Sequence, residues 1–151
     1  MMNKIEIPKD VTVLCEQVAK GYERRKKDYE RRRADIMFRA GSGCFSEFVG
    51  ASRSTGSTSD PTAVKAERLE SLDNSLDVKL IRAVDEALYL ITTGVMRDYR
   101  EKLCKAILLN CEDGREFPFE VLGLDGFSRA EFYRRKKRFI AGIGVVLGLV
   151  E

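Results

Sequence analysis

Phe119-Glu120-Val121-Leu122-Gly123-Leu124-Asp125-Gly126-Phe127 runs directly into Ser128-Arg129-Ala130-Glu131-Phe132-Tyr133-Arg134-Arg135-Lys136-Lys137-Arg138. The first part is a short apolar segment (Phe119, Val121, Leu122, Leu124) closed by the glycine turn Asp125-Gly126-Phe127. The second opens on a capping serine and carries six positive charges and one negative. A helix, a tight turn and a serine-capped basic helix form the layout of a helix-turn-helix that reads DNA. The spacing predicts this unit at about residues 117–148.

Carried to residue 148 at about 100° per residue, the second helix puts Phe132, Phe139, Ile140, Ile143 and Leu147 on one face, the core side. Ala130, Arg134, Lys137 and Arg138 lie opposite, with Tyr133 flanking. A major groove admits such a helix, and its first turns reach base edges. Ala130 lets the backbone approach, and Arg134 can pair bidentately with the acceptors of a guanine. Ser128, Lys137 and Arg138 suit phosphates, with Arg129 beside them. Tyr133 suits a sugar or a thymine methyl. An ordinary charged surface helix is the competing reading. The cluster begins in the first turns, however, where the helix dipole disfavours cations and a bound anion would offset that cost. The apolar tail from Phe139 to Val150 reads as core, or as a partner-helix surface using Gly142, Gly144 and Gly148 for close approach.

Upstream, strand signals are nearly absent and helical periodicity dominates, so the expected fold is all-α. Asp60-Pro61-Thr62 is a helix start, a capping Asp followed by Pro at the first helical position. That helix runs to about Asp73 with Val64, Leu69 and Leu72 inward. A second covers about Ser75 to Thr92, with Leu76, Leu80, Ile81, Val84, Leu88 and Ile91 as a clear stripe. Gly94 marks a break. The next helix carries Val95, Tyr99, Leu103, Ala106, Ile107 and Leu109 and ends near Cys111–Arg115.

The N-terminal part, residues 1–40, reads as one long charged helix opened by Pro8-Lys9-Asp10, with Asp10 as a cap. Cys15, Val18, Tyr22, Tyr29 and Ile36 form a thin apolar stripe. Arg24, Arg25, Lys26 and Lys27, then Arg31, Arg32 and Arg33, are candidate phosphate contacts; a solvated, partly ion-paired face is the other reading. Gly41-Ser42-Gly43 is expected to stop this helix. Residues 41–59, rich in Ser, Gly and Thr apart from an apolar patch at Phe45, Phe48 and Val49, read as a flexible linker. Residues 60–151 then form the helical DNA-binding domain.

The net charge of +3 hides an uneven distribution. Residues 1–40 hold eleven basic and seven acidic side chains, whereas residues 60–115 hold nine and eleven. Two basic stretches around a neutral-to-acidic middle point to a polyanion partner. The four cysteines, Cys15, Cys44, Cys104 and Cys111, form no Cys-x-x-Cys pair, and there is no histidine. Reduced thiols are therefore expected, with no metal and no cofactor; Cys104 and Cys111 share a helix face and should be partly buried. A histidine-based acid, base or triad is excluded, and no glycine cluster matches a phosphate loop, so no enzyme and no small-molecule substrate are expected. The N-terminus lacks the apolar segment of a signal peptide. The longest apolar run has twelve residues, against roughly 20 needed to span a bilayer. A soluble protein of the cytoplasm, with no membrane partner, is expected.

The chain resembles the ArpU/RinA-type phage transcriptional regulators. The resemblance is carried by the charged segment Tyr22-Glu23-Arg24 to Asp35-Ile36, by Ser59-Asp60-Pro61-Thr62-Ala63 followed by Lys65-Ala66, and by Ser128 through Arg135 with the ending Leu147-Gly148-Leu149. Arg135 stands where such helices often have an apolar residue, and Asp125 where a leucine is expected. The resemblance implies a C-terminal domain similar to the promoter-reading end of sigma factors. It also implies activation of phage or prophage late genes in a bacterial host, with double-stranded DNA and RNA polymerase as partners. The alternative is a helical interaction protein that docks on RNA polymerase or on itself without reading sequence. Single-strand binding by Tyr22, Tyr29, Phe132 and Tyr133 is a third reading, on helices rather than on a stacking sheet.

Overall fold

A computed structural model of the protein describes residues 6–42 and 60–151. In chain order it comprises α1 (Lys9–Lys20), α2 (Tyr22–Ser42), α3 (Pro61–Asp73), α4 (Leu76–Thr92), α5 (Arg97–Glu112), a 3-10 turn (Phe119–Val121) and α6 (Arg129–Val146). The described residues contain no strand, and the fold is all-α as expected. No described helix is long and apolar enough to cross a membrane.

The N-terminal segment departs from its expected form. It is two helices, not one, because the first ends at Gly21, whose N–H bonds the Gln17 carbonyl at 3.1 Å. Glycine is the weakest helix former after proline, and here it interrupts the helix for a single residue. Asp10 is not the cap: α1 starts one residue earlier, behind Pro8, and Asp10 lies in the first turn, where its charge suits the dipole. At the far end α2 continues through Gly41 to Ser42. The rest of the expected linker, with Cys44, Phe45, Phe48 and Val49, falls outside the described residues.

Two compact units divide the chain: Met1–Glu23 with Leu80–Glu151, and Arg24–Lys79. The divisions fall inside α2 and α4, whereas composition had suggested a boundary at 41–59. The cause is tertiary, since α1 packs against both α5 and α6 and so joins the C-terminal core.

In the larger unit the core is built from Cys15 and Ala19 of α1, Ala83, Val84 and Ala87 of α4, Leu103 and Ile107 of α5, and Phe132, Phe139 and Ile143 of α6. Small residues set the spacing. A side chain added at Gly142 would meet the Ala87 Cβ at 3.3 Å, and one at Gly144 would meet the Cys15 Sγ at 3.3 Å. The Tyr22 hydroxyl donates to the Asp85 carboxylate at 2.5 Å; burial, then this bond, push the phenol well above its usual range. The α4 stripe is buried from Ile81 to Ile91, but Leu76, at its first residue, is exposed.

In the smaller unit contacts are more polar. Asp60 caps α3 by accepting from the Thr62 N–H at 3.0 Å, as the sequence predicts. The Tyr29 hydroxyl donates to Asp73 at 2.8 Å, Lys65 donates to the Met37 carbonyl at 3.0 Å, and Arg25 lies 4.0 Å from Asp77. Val78 is buried, while Val64, Leu69 and Leu72 reach only intermediate burial.

Candidate nucleic-acid interface

The basic segment forms the first half of α6. Ser128 caps it, its Oγ accepting from the Glu131 N–H at 3.1 Å. The lead-in differs from the expectation. The short helix expected near 117–124 is reduced to one 3-10 turn, and the nearest full helix upstream, α5, ends at Glu112. Pro118 and Gly123 bracket too few residues for an α-helix, whose nucleus is costly and returns hydrogen bonds only on elongation. Phe119 holds the turn to α6 by packing on Phe132, with ring centroids 5.5 Å apart. Gly126 has φ of 91°, a conformation that side-chain-bearing residues rarely adopt, and closes the turn in which the Phe127 N–H bonds the Leu124 carbonyl at 3.3 Å.

The expected division of faces holds. Phe132, Phe139, Ile140 and Ile143 are buried; Ser128, Arg129, Ala130, Arg134, Lys137 and Arg138 are exposed, with Tyr133 between. Leu147 lies just past the helix end and is half-buried. Further along the helix, the line of the exposed face is covered: Ala141 and Gly144 are buried, with Val11 and Cys15 of α1 close to Gly144. The open basic surface is therefore confined to residues 128–138. A cleft of about 510 Å³ between the start of α1 and α6 borders it, lined by Glu6, Thr12, Glu16, Tyr133, Lys136 and Lys137 among others.

The six cations are not equivalent. Arg135 and Lys136 turn inward. Arg135 donates to the Ile91 carbonyl at 2.6 Å and to Glu131 at 2.8 Å, and lies over the Phe127 ring. Arg135 is thus tied to the end of α4 and to the lead-in turn rather than left to solvent. Lys136 donates to the Asn110 side chain at 2.7 Å; Asn110, nearly fully buried, in turn donates to the Phe117 carbonyl at 2.8 Å. Asn110 thereby ties α5, the lead-in segment and α6 together, a role that no local pattern announces. Arg129 pairs with Glu120 at 2.7 Å and lies over the Tyr133 ring. Arg134 pairs with Glu131. Both carboxylates escaped the sequence reading as partners, although Glu131 stands three residues before Arg134 and four before Arg135, a spacing that pairs side chains on any helix.

The second basic stretch, from Arg24 to Arg33 on α2, lies in the other compact unit. Arg25 is half-buried, and burial lowers its pKa against the opposing pull of Asp77. Arg31 pairs with Asp28 at 3.0 Å, and Arg24, Lys26, Lys27, Arg32 and Arg33 are exposed. Comparison with protein-family models, with curated proteins and with solved structures finds no match.

Proposed function

We propose that the protein is a sequence-specific regulator of transcription that binds double-stranded DNA through the exposed first half of α6, with the 3-10 turn Phe119–Val121 in place of the first helix of a helix-turn-helix. One observation carries this reading: a capped helix, fixed in the core by Phe132 and Phe139, presents Ala130, Arg134, Lys137 and Arg138 to solvent on its opposite side. A small residue flanked by long cations suits entry into a major groove, where Arg134 meets base edges and Lys137 and Arg138 meet phosphates. The resemblance to ArpU/RinA-type regulators adds a role as a phage or prophage late-gene activator in a bacterial cytoplasm, with RNA polymerase as protein partner.

Selection from a random duplex pool at near-physiological salt tests the proposal. It should enrich a defined motif, and retention without enrichment would reduce the protein to a backbone binder. On the enriched duplex Arg134→Ala should cost about 1–3 kcal/mol, more than on random duplex. Lys137→Ala should weaken all duplexes alike and flatten the salt slope by about 0.9. Equal losses on both kinds of DNA for Arg134→Ala would remove its base-reading role. The alternative, docking on polymerase or on a second copy, draws on the exposed apolar side chains Val13 and Leu14 of α1 and Val145 and Leu149 at the end of α6. Association that ignores both salt and added duplex would favour it.

A further inference from the structure

Two carboxylates stand among the cations of the exposed α6 surface. Glu120 reaches from the 3-10 turn to Arg129, and both partners are more than half exposed. Glu131, in the first turn of α6, holds Arg134 on the solvent side and Arg135 on the inner side. Its place in that turn is favoured by the helix dipole, so the carboxylate is held ready at the entrance of the basic face. Resting on the DNA-binding reading above, we propose that Glu120 and Glu131 are specificity-determining residues, which occupy the guanidinium groups of Arg129 and Arg134 so that arbitrary duplex must displace a carboxylate before it gains either cation.

The physics distinguishes two kinds of DNA contact. Phosphate contacts supply sequence-independent affinity through released counterions, and an arginine already neutralised by a carboxylate contributes little of it. The same carboxylate repels any phosphate brought close. A base edge that offers two acceptors in fixed geometry returns more than a phosphate met at an arbitrary register. The two glutamates therefore weaken random binding more than matched binding, and discrimination rises at the expense of raw affinity.

The test uses the full chain with Glu120→Gln and Glu131→Gln. Glu86→Gln, at an exposed position on α4, serves as a charge-matched control. Glutamine keeps an acceptor for Arg135, and thermal midpoints check that each variant folds. Affinities are measured on a mixed-sequence duplex and on the duplex enriched by selection, across a salt series. Glu120→Gln should tighten mixed-sequence binding about two- to fivefold, the range set by the strength of an exposed pair. It should also steepen the salt slope by about 0.9. Glu131→Gln should act in the same direction, both should tighten the enriched duplex less, and Glu86→Gln should leave the ratio of the two affinities unchanged. Equal tightening on both duplexes, or tightening matched by Glu86→Gln, would reduce the effect to net charge and overturn the inference. A wild-type chain that discriminates, with variants that do not differ from it, would overturn the inference alone. Failure of wild type and variants to retain any duplex would overturn the DNA-binding reading and the inference with it.

Discussion

Arg134 and Arg135 are neighbours of identical chemistry, and one turns to solvent while the other bonds the Ile91 carbonyl. Rotation of about 100° per residue separates them, so a run of like charges on a helix cannot serve one surface throughout. Lys136 shows the same logic through Asn110, and it also acts on a thiol. Burial pushes Cys111 up to about 11, and the nearby charge of Lys136 opposes this. Burial raises Cys15 and Cys104 as well. The folded state therefore holds these protons more tightly than the unfolded chain, whose thiols ionise near 9.0. The stability Cys111 contributes is complete below that value and is lost as pH rises from about 9 towards 11. Urea midpoints should fall across this interval, and Cys111→Ala should show a smaller fall than the wild type. Identical pH profiles for the two would place the alkaline loss on other groups.

At the scale of elements, α6 is one helix with two functions divided along its length. Residues up to Arg138 present charge, and residues from Phe139 onward are clamped by α1 and α4. The clamp depends on Gly144, where an added Cβ would lie 3.2 Å from Val150 and 3.3 Å from the Cys15 Sγ. Gly144→Val should cost about 1–3 kcal/mol by overpacking. Urea unfolding measures this, and a neutral result would show that α1 can move aside. The capping residues Asp60 and Ser128 were legible in the sequence because a cap is a local interaction between a side chain and an N–H two or three residues on. The lead-in at Phe119–Val121 was legible only in its limits, Pro118 and Gly123; its conformation is held by packing on Phe132 and by the bond from Asn110 to Phe117.

For the whole molecule, the two basic stretches belong to different compact units, and the proposed DNA binding is to be tested on each separately. Arg32→Ala with Arg33→Ala should weaken matched and random duplex alike and lower the salt slope by up to about two. An unchanged slope would confine DNA contact to the larger unit. The all-α class, the α4 stripe from Ile81 to Ile91 and the inner and outer faces of α6 were determined by the sequence alone, because periodicity and capping act within a few residues. The membership of α1 in the C-terminal core, the inward turn of Arg135 and Lys136, and the pairing of Arg129 with Glu120 were settled only in the folded chain, whereas the break at Gly21 and the Glu131–Arg134 pair rest on local features of the sequence. Contacts such as Gly144 with Cys15, or Arg135 with the Ile91 carbonyl, join residues far apart in sequence, and no local pattern encodes which distant surface a helix will meet.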